Sequence, residues 1–75
     1  MPSIYHPPVK RSMTIAGHQT SISLEPFFWN SLKMAADLRG MPINALVAQI
    51  DVERLESGTP CGLASAVRLW VANNP

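Results

Sequence analysis

Polar and apolar residues alternate along residues 11–24, with one interruption at Gly17-His18. A period of two residues places successive side chains on opposite faces and is typical of half-buried strands. Glycine at the first central position favours a type II′ turn, so we expect strands at 11–16 and 19–24 joined at Gly17-His18. The cross-strand pairs that this turn predicts are Ala16–Gln19, Ile15–Thr20, Thr14–Ser21, Met13–Ile22 and Ser12–Ser23.

Three helical segments follow the predicted hairpin. The first begins at Glu25-Pro26, because proline is tolerated in a first turn and an acidic residue suits the positive helix end. It ends at Gly40, a typical residue just beyond a helix. The second helix has Ile43, Leu46, Val47 and Ile50 as its apolar stripe and Leu55 near its end, and it stops at Ser57-Gly58. Thr59-Pro60 predicts the start of a third. The apolar stripe of the third helix consists of Leu63, Val67, Trp70 and Val71.

Length and composition limit the class of protein. The chain has 75 residues, of which 47% are hydrophobic and 15% charged, whereas about 25% are charged in an average domain. A domain of this size buries only about 60% of its unfolded surface by itself, so we expect the chain to need a partner, for which oligomerisation is a common solution. The prolines near the start predict a flexible arm at 1–9, which leaves residues 10–75 as a single domain.

The sequence offers no constellation for catalysis or metal binding. His6 and His18 fall in the arm and the turn, and Asp51 and Glu53 are two residues apart on a helix, so they do not face each other. We therefore expect no enzyme, cofactor or metal. The unpaired Cys61 indicates a reducing compartment, and no apolar stretch approaches the length of a membrane span. We expect a cytoplasmic protein.

A polar strand followed directly by two helices is the most informative pattern. Its segments, in order and without gaps, are Gln19-Thr-Ser-Ile-Ser-Leu24, Glu25-Pro26, Phe28-x3-Leu32 and Gly40-Met-Pro-Ile-Asn-Ala-Leu-Val47. Together they resemble the ribbon-helix-helix family of DNA-binding proteins, and the resemblance covers residues 19–55. With residues 10–17 and the third helix included, the chain is similar to a mostly uncharacterised bacterial subgroup. The resemblance implies an intertwined homodimer whose β-ribbon enters the major groove as a transcriptional repressor does.

The resemblance also implies roles for individual residues. Gln19, Ser21 and Ser23 would contact bases, because glutamine can pair with adenine and serine can bond either kind of base edge. The backbone N–H groups of Ile43 and Asn44, at the start of the second helix, would hold a phosphate. The dimer core would consist of Ile22, Leu24, Phe28, Leu32, Leu46, Val47 and Ile50.

Charge is unevenly placed along the chain. The net charge of +1 divides into +2 in residues 1–24 and −1 in residues 25–75. Lys10 and Arg11 supply the first excess, and a dimer would gather four such groups beside the ribbon. They would contact DNA phosphates, with binding that weakens as salt rises. The alternative is that both are simply solvated at the strand entrance.

Two features depart from the family pattern. Pro42 stands where the family usually has serine or threonine as the second helix's N-cap, which weakens the predicted phosphate site. The extra strand 11–16 would give the dimer four strands, and at about 4.8 Å spacing such a sheet is wider than the major groove of about 12 Å. If this strand covered the outer side of Ser21 and Ser23, those residues could not read bases.

Two other readings stay open. A helix-turn-helix protein would read bases with Asn44 and Gln49 on the second helix, but it would leave the hydroxyl-lined strand without a role. A dimeric interaction module without DNA binding would explain the low net charge and could dock a partner helix on the third helix.

Trp29 and Trp70 are expected in the core or at the dimer interface.

Overall fold

The computed structural model describes residues 4–74, in which a β-hairpin precedes three helices. Strands β1 (Val9–Ile15) and β2 (His18–Leu24) form a two-stranded antiparallel sheet. The helices that follow are α1 (Pro26–Leu38), α2 (Ile43–Glu56) and α3 (Leu63–Asn73). This architecture confirms the predicted fold class, a short β-ribbon with helices, including the extra first strand and the third helix.

The hairpin turns one residue earlier than predicted. Ile15 pairs with His18, so Ala16 and Gly17 are the central residues of the turn. Both have positive φ, 51° and 82°, as a type I′ turn requires. The predicted turn at Gly17-His18 is therefore wrong. The pairs observed are Val9–Leu24, Lys10–Ser23, Arg11–Ile22, Ser12–Ser21, Met13–Thr20, Thr14–Gln19 and Ile15–His18.

The observed register differs from the predicted register by two residues in every pair. It brings Val9 opposite Leu24, where the predicted register places Arg11, so an apolar pair replaces a charged one above the core. Because side chains alternate with a period of two, this displacement leaves each side chain on its predicted face. The predicted division into a polar and an apolar face therefore holds although the pairing does not.

Ala16 is the residue at which a substitution should stabilise the fold. The left-handed conformation costs a residue with a Cβ about 1 kcal/mol, and asparagine tolerates it better. We expect Ala16→Asn to raise the free energy of unfolding in urea by about 0.5–1 kcal/mol, because it creates an Asn-Gly turn. Gly17→Ala should lower it by about 1 kcal/mol through backbone strain alone, since its added Cβ would meet no atom within 4 Å. A less stable Ala16→Asn protein would contradict the turn assignment.

The helix boundaries agree with the sequence except at α3. Glu25 is the N-cap of α1, and Gly40 lies just beyond that helix with φ 64°. The predicted start of the third helix at Thr59-Pro60 is wrong, because α3 begins after Gly62. The Ser57 hydroxyl instead accepts the Thr59 N–H at 3.2 Å, which holds this segment in a loop.

The opposite end of the domain differs slightly from the prediction. Strand β1 begins at Val9, so the segment before the sheet ends at Pro8 rather than at residue 9. Residues 1–3 of the predicted arm lie outside the described residues. The boundary moves because Val9 is paired with Leu24 and packs against the core.

The helices cover one face of the hairpin and close a core with it. Helix α2 packs against β1, and α3 packs against β2. Trp29 is in this core as predicted, 3% exposed, and its Nε1 donates to the Val9 carbonyl at 2.9 Å. Trp70 packs against the core, and the Arg39 guanidinium lies over its ring, 4.9 Å from the ring centre. The buried side chains are Ile15, Ile22, Leu24, Trp29, Leu32, Ala35, Ala36, Leu46, Val47, Ile50 and Val67.

Candidate nucleic-acid interface

The face of the hairpin turned away from the helices, here called the outer face, is polar on both strands. It consists of Lys10, Ser12 and Thr14 from β1 and Gln19, Ser21 and Ser23 from β2, all of them exposed. Strand β1 lies beside β2 in the sheet and does not cover it. The three predicted base-contacting residues therefore share one accessible surface with Lys10.

The serines of the two strands meet at the centre of the outer face. Ser12 lies opposite Ser21, and their Oγ atoms are 3.4 Å apart. The sequence predicted Ser23 as the partner of Ser12, but the observed register places Lys10 opposite Ser23. Each outer-face residue of β2 thus has a polar neighbour on β1.

Strand β2 has one edge paired with β1 and one open edge. The pair that flanks the two-residue turn, Ile15–His18, exchanges backbone hydrogen bonds. Along an antiparallel ladder, hydrogen-bonded pairs alternate with pairs whose backbone groups point outward. The backbone groups of Gln19, Ser21 and Ser23 therefore point away from β1. The Ser23 carbonyl accepts a hydrogen bond from Arg68 Nη2 at 3.4 Å, which is consistent with its pointing away from β1. Open edges of this kind are sites where another strand can pair.

Arg68 joins the end of β2 to α3. Its Nε donates to Glu25 Oε1 at 3.0 Å and its Nη2 to Oε2 at 3.3 Å. A hydrogen bond from the backbone and, to a smaller extent, the Arg68 guanidinium hold the pKa of Glu25 below its usual value. The Phe28 ring lies 5.8 Å from this guanidinium. No local spacing in the sequence indicates this role of Arg68, because its partner is 43 residues away.

A second polar region lies where β1 meets the first turn of α2. A shallow pocket of about 390 Å³ is lined there by Arg11, Ile43 and Asn44 together with Trp29. The Arg11 guanidinium lies 4.9 Å from the centre of the Trp29 ring. Asn44 Nδ2 donates to the Thr14 carbonyl at 3.4 Å, which holds the start of α2 against β1. Three of the four residues predicted to contact phosphate therefore meet in one pocket.

The electrostatics of this pocket come from the helix start and from one cation. The N–H groups of Ile43 and Asn44, the first two of α2, have no acceptor inside the helix, so they can bind an anion. Pro42 is the N-cap, as predicted, and provides no side-chain hydrogen bond. Arg11 supplies the positive charge. Lys10 alternates with Arg11 along the strand and lies on the outer face, so the two cations serve opposite faces of β1.

Most of the residues predicted to form a dimer core are buried inside a single chain. Ile22, Leu24, Leu32, Leu46, Val47 and Ile50 are at most 3% exposed. Phe28 is half-buried, and its ring meets the Phe27 ring edge to face with the ring centres 5.3 Å apart. Helix α3 contributes to this burial, because Val67 belongs to the same cluster. The participation of these residues in a dimer stays a prediction, and six of them have almost no surface left for a second copy.

The helix-turn-helix reading relied on Asn44 and Gln49. Residues five apart on a helix point about 140° away from each other, so they do not form one reading face. Asn44 bonds the Thr14 carbonyl of β1, while Gln49 is exposed. This arrangement does not favour a recognition helix at α2.

Residue types that ligate metals are scattered in the part of the chain that the structure describes. Across residues 4–74, no three His, Cys, Asp or Glu side chains are grouped so that they could hold a metal ion. His6 Nδ1 lies 2.7 Å from the Pro7 carbonyl, and His18 lies beside the turn.

Within residues 4–74, no helix combines the length and apolar character needed to cross a membrane.

Comparison with known protein families supplies the class. Residues 8–74 match the model of the ribbon-helix-helix domain, which covers both strands and all three helices. The chain therefore belongs to the ribbon-helix-helix family. Domains of this family usually bind DNA as regulators, generally dimerise and are typically non-enzymatic. Comparison with curated proteins and with solved structures finds no match.

Proposed function

We propose that this chain is a sequence-specific, DNA-binding transcriptional regulator that acts as a homodimer. The observation that carries the proposal is the exposed polar outer face beside an open strand edge, in a chain whose family usually binds DNA. A surface of hydroxyl, amide and ammonium groups can bond base edges and phosphates. We infer a bacterial repressor that works in the cytoplasm and has no catalytic activity of its own.

The dimer would form through the open edge of β2. Two copies of the segment from Gln19 to Ser21 can pair antiparallel, because the backbone groups of Gln19 and Ser21 point to that edge. The result is one sheet with the strand order β1, β2, β2 and β1, in which the two outer faces become continuous. The burial of the core within each chain supports this route, since the dimer would need backbone pairing rather than exchange of core side chains.

The outer face would then meet the major groove of DNA. Gln19 can make a paired contact with the N6 and N7 atoms of adenine, and Ser21 and Ser23 can bond either type of base edge. Phosphates would be held by Lys10 and by the pocket that contains Arg11 and the start of α2. Helix-terminal N–H groups bind phosphate without sequence preference and fix the orientation of a protein on the duplex.

Two charge reversals test where DNA binds. Lys10→Glu places repulsive charge on the outer face, so we expect it to weaken binding at least tenfold, about 1.4 kcal/mol, in a fluorescence anisotropy titration. Lys33→Glu is the matched control, because it changes the net charge equally on the exposed side of α1. At 0.15 M salt, charges farther than about 8 Å from DNA are largely screened. Equal losses from both variants would contradict binding through the outer face.

A dimeric protein-interaction module is the second candidate, and one surface favours it. A groove of about 760 Å³ lies between α1 and α3, and it is lined by Phe27, Met34 and Leu38. These three side chains are 57%, 66% and 85% exposed, and exposed apolar patches often mark interaction sites. A folded dimer that binds no duplex DNA at low salt would favour this candidate, with α3 as one wall of the partner site.

A further inference from the structure

Positive charge is concentrated on one strand of the hairpin. Lys10 and Arg11 both belong to β1, whereas the outer-face residues of β2 are all uncharged. The start of α2 also lies at β1, where Asn44 bonds the Thr14 carbonyl. Arg68 contacts the end of β2, but it is paired with Glu25.

The width of the proposed dimer sheet explains why the positive charge lies on β1. Neighbouring strands lie about 4.8 Å apart, so the outermost strands of a four-stranded sheet are about 14 Å apart. The major groove is about 12 Å wide. The two central β2 strands fit between the groove walls, whereas each β1 strand would lie over a wall, where the phosphates are.

We propose that β1 is a phosphate-binding strand and that β2 alone reads bases. This inference rests on the proposed function and assigns to Ser12 and Thr14, together with Lys10, contacts with the sugar–phosphate backbone on both sides of the groove. Uncharged hydroxyl and amide groups then face the base edges, and cations face the phosphates. The extra strand makes the sheet wider than the groove and thereby extends the contact along the groove walls.

The contact between Ser12 and Ser21 leaves the Ser12 hydroxyl able to bond a phosphate. A hydroxyl group donates one hydrogen bond and accepts up to two. Ser12 Oγ can therefore donate to a phosphate while it accepts from Ser21 Oγ, which lies 3.4 Å away. The cross-strand contact with Ser21 is therefore compatible with a phosphate contact from the same Ser12 hydroxyl.

Selection of duplexes from a randomised pool, followed by affinity measurements on several of them, tests this assignment. The double variant Ser12→Ala/Thr14→Val should lose affinity for every duplex by a similar factor, about tenfold or more, because hydrogen bonds to charged groups are lost. Its most preferred sequence should stay that of the unmodified protein. The control Ser21→Ala changes one hydroxyl of the same cross-strand pair and should alter base preference at its own contact position.

Salt dependence provides an independent readout. Lys10→Gln removes one phosphate contact from each copy, so the slope of log affinity against log salt should become shallower by about 1.8. A changed base preference in the Ser12→Ala/Thr14→Val protein would overturn the inference, and so would unchanged affinity for all duplexes. In both cases DNA binding by the unmodified protein would leave the proposed function standing. An unmodified protein that binds no duplex would overturn both.

Discussion

Replacing Ser21 by proline should yield a folded monomer. The Ser21 N–H points to the open edge of β2, so its loss leaves the bonds to β1 intact, and proline is tolerated on an edge of this kind. In the proposed dimer each copy would lose one bond and leave one carbonyl unpaired. We expect the dimer to weaken by about 3 kcal/mol or more, over a hundredfold in Kd. Sedimentation equilibrium measures the mass, and circular dichroism confirms the fold.

The neighbouring residue provides the matched control for this substitution. Thr20 is opposite Met13 in a hydrogen-bonded pair, so its N–H points to β1. Thr20→Pro removes a bond inside the hairpin and should destabilise each chain, not only the dimer. A Ser21→Pro protein that stays dimeric at the concentrations of the unmodified protein would place the dimer interface elsewhere, with the groove between α1 and α3 as the next surface to test.

Replacing Trp29 by alanine should have the largest effect on stability. This side chain is 3% exposed and forms a hydrogen bond from Nε1 to Val9. Truncation of a buried tryptophan costs about 3–5 kcal/mol, compared with a total of about 5–15 kcal/mol for a typical domain. We expect most of the cooperative unfolding transition in urea to be lost at 25 °C.

Phenylalanine at the same position separates packing from hydrogen bonding. Trp29→Phe keeps most of the apolar contact but leaves the Val9 carbonyl without this donor, so we expect a loss of about 1–2 kcal/mol. It also alters the ring beneath Arg11. A Trp29→Ala protein that unfolds at the same urea concentration as the unmodified protein would show that this side chain does not hold β1 to the helices.

Local patterns predict most of the fold. The alternation along residues 11–24 identifies both strands and their faces, since burial of one face requires a period of two. Glu25-Pro26 and Gly40 identify the ends of α1 because capping chemistry is local. The predicted turn is one residue late, because the sequence favours glycine at the first central position and nothing in it indicates that Ala16 accepts a left-handed conformation.

Loop contacts and tertiary contacts account for what the sequence did not predict. Thr59-Pro60 has the composition of a helix start, but Arg54 Nη1 donates to the Cys61 carbonyl at 2.9 Å and helps to keep that segment in a loop. The position of Arg11 over Trp29 depends on the packing of α1 beneath the sheet. Such contacts are decided by tertiary packing, so no spacing along the chain reveals them.

The core of a single chain is already closed without a second copy. The apolar composition suggested a core that only a second copy could complete, yet Ile22 and Leu24 are 3% and 0% exposed in one chain. Helix α3 covers β2 in place of a partner. The surfaces available to a second copy are the open edge of β2 and exposed apolar residues such as Leu38, which lie outside the predicted dimer core.

A mobility-shift titration on duplex DNA at low salt tests DNA binding most directly. The unmodified protein, shown by sedimentation to be a folded dimer, should retard a mixed-sequence duplex at micromolar concentration or below. Retardation should decrease as salt rises, because phosphate contacts release bound counterions. Binding that persists unchanged at high salt would exclude the phosphate contacts proposed for β1 and α2. A folded dimer that retards no duplex at low salt would contradict the assignment of this chain as a DNA-binding regulator.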